Sequence, residues 1–186
     1  MAEKKAEKWK NKVWFNVYPP KMFGESNIGE IPADDEKNLI GRVIKVNMSW
    51  ITHKPEHSFV VVGLRVVNVN GEMANTEINY IEQTYSYMHS LVKRHSSVVY
   101  TVDRLKDKNN RGFVLKLVAV TAGKITTPKK AGIRTAISQF VNDYASSRNV
   151  EEIMADILEN KMQDQAMMKL DHIALINKLE LKKIEL

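Results

Sequence analysis

The chain has 186 residues, no cysteine and a formal net charge of +6. That length suits one domain with appendages, enough to bury a core unaided, and the missing cysteines exclude a disulfide framework, thiolate catalysis and zinc–thiolate sites. No apolar run approaches the roughly 20 residues that span a bilayer, and "MAEKKAEKWKNK" lacks the apolar stretch of a secretory signal, so a cytoplasmic protein with no membrane partner is expected.

Charge is unevenly divided along the chain. Residues 1–21 balance at +4, residues 22–92 at −4, residues 93–134 at +9 and residues 142–186 at −3. Like charges held together repel one another unless a partner neutralises them, so the arm and the central block point to a polyanion.

In chain order, the first dozen residues are rich in lysine and glutamate with few apolar side chains, and are expected to lack fixed structure in isolation. "VWFNVYPPKMFG" sets Trp14, Phe15, Tyr18 and Phe23 around Pro19-Pro20, which reads as a clamp laid over a domain rather than a regular element. "IPADDEKN" is a polar loop, with Asp34 and Asp35 in a solvated turn rather than a magnesium site. "LIGRVIKVNMSW" is strand-like with partial alternation. "HSFVVVGLRVVNVNGEMANTEINYIEQ" is a long β-branched run broken at Asn70-Gly71, a strong hairpin signal. "TYSYMHSLVKRHS" predicts a short helix with Lys93 and Arg94 in its last turn, where cations complement the helix dipole.

A second hairpin follows, "SSVVYTVDRL" and "GFVLKLVAVTA" joined by "KDKNNRG", whose connection carries Lys106, Lys108 and Arg111 and no apolar side chain. Beyond it the period turns helical. Ile133, Ile137, Phe140, Val141 and Tyr144 recur on one face, and "NVEEIMADILENKM" opens with Asn149 and Glu152, a capping-box variant. "DQAMMKLDH" reads as a further turn, and "HIALINKLELKKIEL" as a final strand whose alternation breaks late. Several hairpin-connected strands with one inserted helix suggest an α+β protein built on a small, mostly antiparallel barrel or strongly curled sheet. The expected organisation is a basic arm and clamp over 1–38, a core with one inserted helix over 39–128, a helical segment over 129–171 and a returning strand over 172–186.

"VTAGKITTPKKAGIRTAISQF" carries a glycine-lysine pair that invites a nucleotide-binding reading. A phosphate loop of that kind needs glycine five positions earlier and Ser or Thr directly after the lysine. Val118 and Ile125 stand at those positions, and the preceding strand reads as antiparallel, so no nucleotide or other cofactor is expected. What remains is a linker with Lys124, Lys129 and Lys130, then Arg134 one turn into a helix, with threonine hydroxyls nearby. Such a junction suits contacts to phosphate oxygens, which position a protein on nucleic acid without reading its sequence. The expected footprint comprises Lys4, Lys5, Lys8, Lys10 and Lys12 in the arm, Arg104, Lys106, Lys108 and Arg111 in the hairpin, and Lys124, Lys129, Lys130 and Arg134 in the linker and helix. His53 and His57 flank "KPE" at a spacing that could serve a metal, but no third ligand lies close in the sequence, and no metal site is expected. No convergent set of titratable groups suggests catalysis or a small-molecule substrate.

The ordered set "KVWFNVYPPKMFG", "SNIGE", "LIGRVIKVNMSWI", "YMHSLVKRHSSVVYTVDRLKDKNNRGFVLKLVAVTAGKITTPKKAGIRTAISQF" and "HIALINKLELKKIEL" resembles the archaeal and eukaryotic small-subunit ribosomal protein family S3ae, from about Lys12 onward. The resemblance implies a β-barrel flanked by helices, bound to ribosomal RNA on the platform of the small subunit near the messenger exit. Neighbouring ribosomal proteins, messenger RNA and the 3′ end of the RNA are then the expected surroundings. The arm is short and the chain stops soon after the last strand, whereas eukaryotic members are longer at both ends, so the likeness is to archaeal members.

Overall fold

The structure, a computed structural model, describes residues 12–24 and 27–186. Lys4, Lys5, Lys8 and Lys10 of the expected arm therefore lie outside the described residues. The chain divides into two compact units, Met1–Ile81 and Glu82–Leu186.

The first unit contains β1 (Val13–Tyr18), β2 (Gly29–Ala33), β3 (Val43–Asn47), the short helix α1 (Met48–Thr52), β4 (Val60–Asn70) and all but the last two residues of β5 (Met73–Gln83). β1 pairs antiparallel with β2 and parallel with β5; β3 pairs antiparallel with β4, and β4 with β5. The strand order is thus β2-β1-β5-β4-β3. The aromatic clamp is a regular strand instead, because Phe15 and Val17 point inward at period two, and Pro19-Pro20 ends it. Phe15, Ala33, Leu39, Val66, Val69 and Ala74 form the core, with Ile31 and Ile44 packed against them. The Asn70-Gly71 signal marks a real hairpin, with Gly71 at φ +60° directly after β4. Asn47 stops β3: its side chain accepts a hydrogen bond from Ser49 N at 3.0 Å and opens α1, so the strand-like reading through Trp50 ran too far.

The second unit holds α2 (Tyr85–Ser90), β6 (Val98–Lys106), β7 (Gly112–Thr121), α3 (Thr127–Ser146), α4 (Val150–Leu158), α5 (Lys161–Leu170) and β8 (Ile176–Glu185). β7 lies between β6 and β8, antiparallel to both. The apolar stripe of α3 is buried as its spacing predicts, through Ile133, Ile137, Phe140, Val141 and Tyr144. α4 buries Val150, Ile153, Met154 and Ile157, and α5 buries Met162, Ala166 and Leu170. The expected α+β class with a mostly antiparallel sheet is what the structure shows. Neither unit closes by itself into the expected barrel: the strand order of each is open-ended.

Candidate nucleic-acid interface

β6 alternates strictly. Val99, Thr101 and Leu105 are buried, while Tyr100, Val102, Arg104 and Lys106 are exposed on the opposite face. The ladder ends at Lys106↔Gly112, so residues 107–111 form the connection. Asp107 builds it: its Oδ1 accepts from Arg111 N at 2.7 Å, and its Oδ2 accepts from Val150 N, the first residue of α4, at 3.4 Å. The turn is tied a second time, by Lys108 N donating to Arg148 O just past α3. Lys108 and Arg111 are exposed on this pinned turn.

At the other end of the hairpin a small polar knot joins two segments. Ser97 N donates to Thr121 Oγ1 at 3.0 Å, Thr121 N returns to Ser97 O at 3.0 Å, and Ile125 N donates to Ser97 Oγ at 3.2 Å. The knot holds Lys124 beside the loop that carries Lys93 and Arg94. α2 ends at Ser90, so Lys93 and Arg94 lie beyond its last turn and do not serve its dipole. The sequence reading gives them that role and does not include them in the footprint; only bonds distant in sequence, from Ser97 to Thr121 and Ile125, bring their loop to the Lys124 segment.

Lys129 and Lys130 also move relative to the sequence reading. They stand in the first turn of α3, not in a linker, because helix begins at Thr127 with Pro128 in a first-turn position that a helix tolerates. That turn contains no acidic residue. Cations at a helix N-terminus oppose the positive end of its dipole, so the local field strongly favours an anion. One turn on, Arg134 Nε donates to Tyr100 O at 3.3 Å, and Ser138 Oγ donates to Asp103 Oδ1 at 2.6 Å. Together with the Lys108–Arg148 bond, these contacts lay α3 alongside β6 for its whole length. Its 20 residues rise about 30 Å, and the nine residues of β6 extend about as far. Cations are therefore spread along the length of β6, from Lys93, Arg94 and Lys124 at one end, past Arg134 on α3, to Lys108 and Arg111 in the turn. Arg104 and Lys106 stand on the strand face that turns away from α3.

Five other basic residues of this unit are paired with carboxylates. Lys116 and Lys183 contact Glu185 at 3.0 and 2.9 Å, Lys178 contacts Glu180 at 3.6 Å, Lys161 pairs with Glu159, and Arg148 contacts Asp156 at 3.6 Å. Among the described residues, the side chains of Arg104, Lys106, Lys108, Arg111, Lys124, Lys129 and Lys130 have no hydrogen bond or ion pair. Seven of the cations expected from the sequence to meet phosphate thus carry no internal bond, whereas Arg134 is bonded to Tyr100 O. Lys12 is half-buried at the start of β1 and belongs to the first unit.

Other candidates are weaker. His57 Nδ1 lies 2.9 Å from Thr52 Oγ1, His53 is exposed in a left-handed conformation (φ 54°), and no group of three possible metal ligands occurs among the described residues. A pocket of about 630 Å³ in the first unit is lined by Asp34, Asp35, Glu36 and Glu72 against the single cation Lys37, a field that repels phosphate. In the second unit, Tyr144, Asp156 and Arg148 form a compact set beside a pocket of about 450 Å³. Burial and then the Asp156 hydrogen bond push the Tyr144 hydroxyl up to about 12, which leaves it inert near neutrality.

The sequence model of the Ribosomal S3Ae family matches residues 1–186. The chain is 31% identical over 182 residues to the small ribosomal subunit protein eS1 of Desulfurococcus amylolyticus, covering 97% of this chain and 84% of that one. It is 29% identical to the eS1 protein of Pyrobaculum neutrophilum, over 100% and 83% of the two chains. With the eS1 protein of Methanoculleus marisnigri it shares 28% identity over 100% and 97%. On this whole-length match, the chain belongs to the Ribosomal S3Ae family.

Proposed function

We propose that this protein is a structural, non-catalytic component of the small ribosomal subunit that holds ribosomal RNA through the backbone phosphates. The observation that carries the reading is the row of unpaired cations along β6, its turn and the start of α3. A row about 30 Å long fits a polyanion better than any single small anion. The lysines and threonines of the linker and helix start touch phosphate and sugar; they set position, not sequence preference. Lys4, Lys5, Lys8, Lys10 and Lys12 add a second group of cations at the chain start. Family membership supports a ribosome-bound, cytoplasmic protein on the platform near the messenger exit, with other ribosomal proteins as neighbours.

Sedimentation tests this. In sucrose gradients of cell extract the protein co-migrates with small subunits and stays with them after a high-salt wash. A protein released quantitatively to the top of the gradient by the wash is a free-standing RNA-binding factor, and the structural reading falls.

A further inference from the structure

The side of the β6–β7–β8 sheet that turns away from α3 carries features that phosphate neutralisation does not require. Tyr100 is 52% exposed and Val102 62% exposed on an otherwise well-paired strand, two residues apart on one face. Further along that face come Arg104 and Lys106, at steps of about 6.6 Å. From β8, Lys182 extends its Nζ to 5.0 Å from the Tyr100 ring centroid. Its position follows from the bulge opposite Lys116 and Leu117, where Lys183 pairs with Lys116 and Leu181 with Leu117, leaving Lys182 as the extra residue. The acidic groups of this face are committed internally. Glu185 accepts from Lys116 and Lys183, and Glu180 accepts from Tyr87 and Gln83. An exposed aromatic ring, bordered by cations whose charge is not cancelled locally, is the chemistry that binds unpaired bases: the ring stacks and the cations hold the flanking phosphates.

We propose that this face is a stacking site for unpaired RNA, with Tyr100 as the platform for one base, Val102 as its apolar neighbour, and Arg104, Lys106 and Lys182 as the flanking phosphate contacts. The inference rests on the RNA-binding reading above and adds to it a ligand class: single-stranded rather than duplex RNA. In the free protein Lys182 covers the ring; when a base takes that place, the ammonium moves to the adjoining phosphate. Arg134 fixes the platform from the side by its bond to the Tyr100 carbonyl.

The test uses the full chain, a ten-nucleotide single-stranded RNA of mixed sequence and a duplex of the same length, each titrated at several salt concentrations. Tyr100→Ala is expected to weaken binding of the single strand about fivefold or more, to leave duplex binding and both salt slopes unchanged, and to be rescued by Tyr100→Phe. Tyr100 is half-exposed, so thermal unfolding of the variants is expected to match that of the parent. If the parent binds both RNAs and Tyr100→Ala binds the single strand equally well, the stacking site is refuted while the phosphate reading stands. If the parent binds neither, the phosphate reading itself fails. In assembled small subunits, a photoreactive phenylalanine at position 100 is expected to crosslink to a nucleotide. Crosslinking to protein alone overturns the proposal in favour of a protein interface.

Discussion

Asp107 illustrates how a side chain unrelated to ligand contact sets a binding surface. It is 6% exposed in a turn of otherwise exposed polar residues, and its two oxygens satisfy the backbone amides of Arg111 and Val150. Removing a charged acceptor strands both donors, and each hydrogen bond to a charged group contributes on the order of 1.5–3 kcal/mol. Because the 3.4 Å bond to Val150 is long, Asp107→Ala is expected to cost about 2–3 kcal/mol in equilibrium denaturation, and Asp107→Asn roughly half that, since the amide keeps one acceptor. Wild-type stability for Asp107→Ala would show that the turn is held by its backbone bonds alone.

Tyr144 gives a prediction in pH. Its hydroxyl donates to Asp156 at 2.7 Å, and burial followed by that acceptor raises its pKa from 10.0 to about 12. The folded state thus holds the proton more tightly than the unfolded state does. The resulting stability is complete below about pH 10 and is lost as pH climbs through about 12. Tyr144→Phe is expected to flatten the loss of stability between those pH values, measured by denaturation at stepped pH. The same slope in both proteins would place the alkaline sensitivity in other groups.

At the scale of elements, β4 and β5 depend on a close approach. A methyl group at Gly63 would overlap the ring of Tyr80, which is buried beneath Lys45. Gly63→Ala is expected to cost about 1–3 kcal/mol as an overpacking change, and distinctly less in a Tyr80→Val background, where the overlap disappears. Additive costs in that double-mutant cycle would refute the steric account. How far such elements could be read in advance depended on whether their signals are local. The stripe of α3 and the Asn70-Gly71 hairpin are local patterns and were legible. The late break in β8 alternation was visible too, and the structure gives its cause: bulges leave Asn177 and Lys182 without partners in the ladder. α5 was read as one further turn, because "KMQDQAMMKL" has a thin apolar stripe and Asn160 (φ 60°) interrupts the chain before it. The half-made capping box of α4 is similar. Glu152 accepts from Asn149 N at 3.2 Å, while Asn149 Oδ1 lies in place for the reciprocal bond without completing it.

For the molecule as a whole, the deciding quantity is which charges are already spent. Composition gives +9 over residues 93–134, but it cannot say which lysines face a carboxylate, since the partners of Lys116 lie on β8, 69 residues away. The structure sorts them, and the sorting is testable. Replacing Lys124, Lys129, Lys130 and Arg134 by alanine removes up to four phosphate contacts, so the slope of log affinity against log salt for RNA should fall by about 3. Replacing Lys116, Lys161, Lys178 and Lys183 changes the net charge by the same amount, yet these ammonium groups face Glu185, Glu159, Glu180 and Glu82. Few counterions are then released from RNA on their account, and the slope should barely move. Net charge alone predicts equal losses for the two sets. Equal slopes would reduce the protein to a diffuse polycation, whereas a large difference between them locates the RNA along the row that β6 and α3 hold in place.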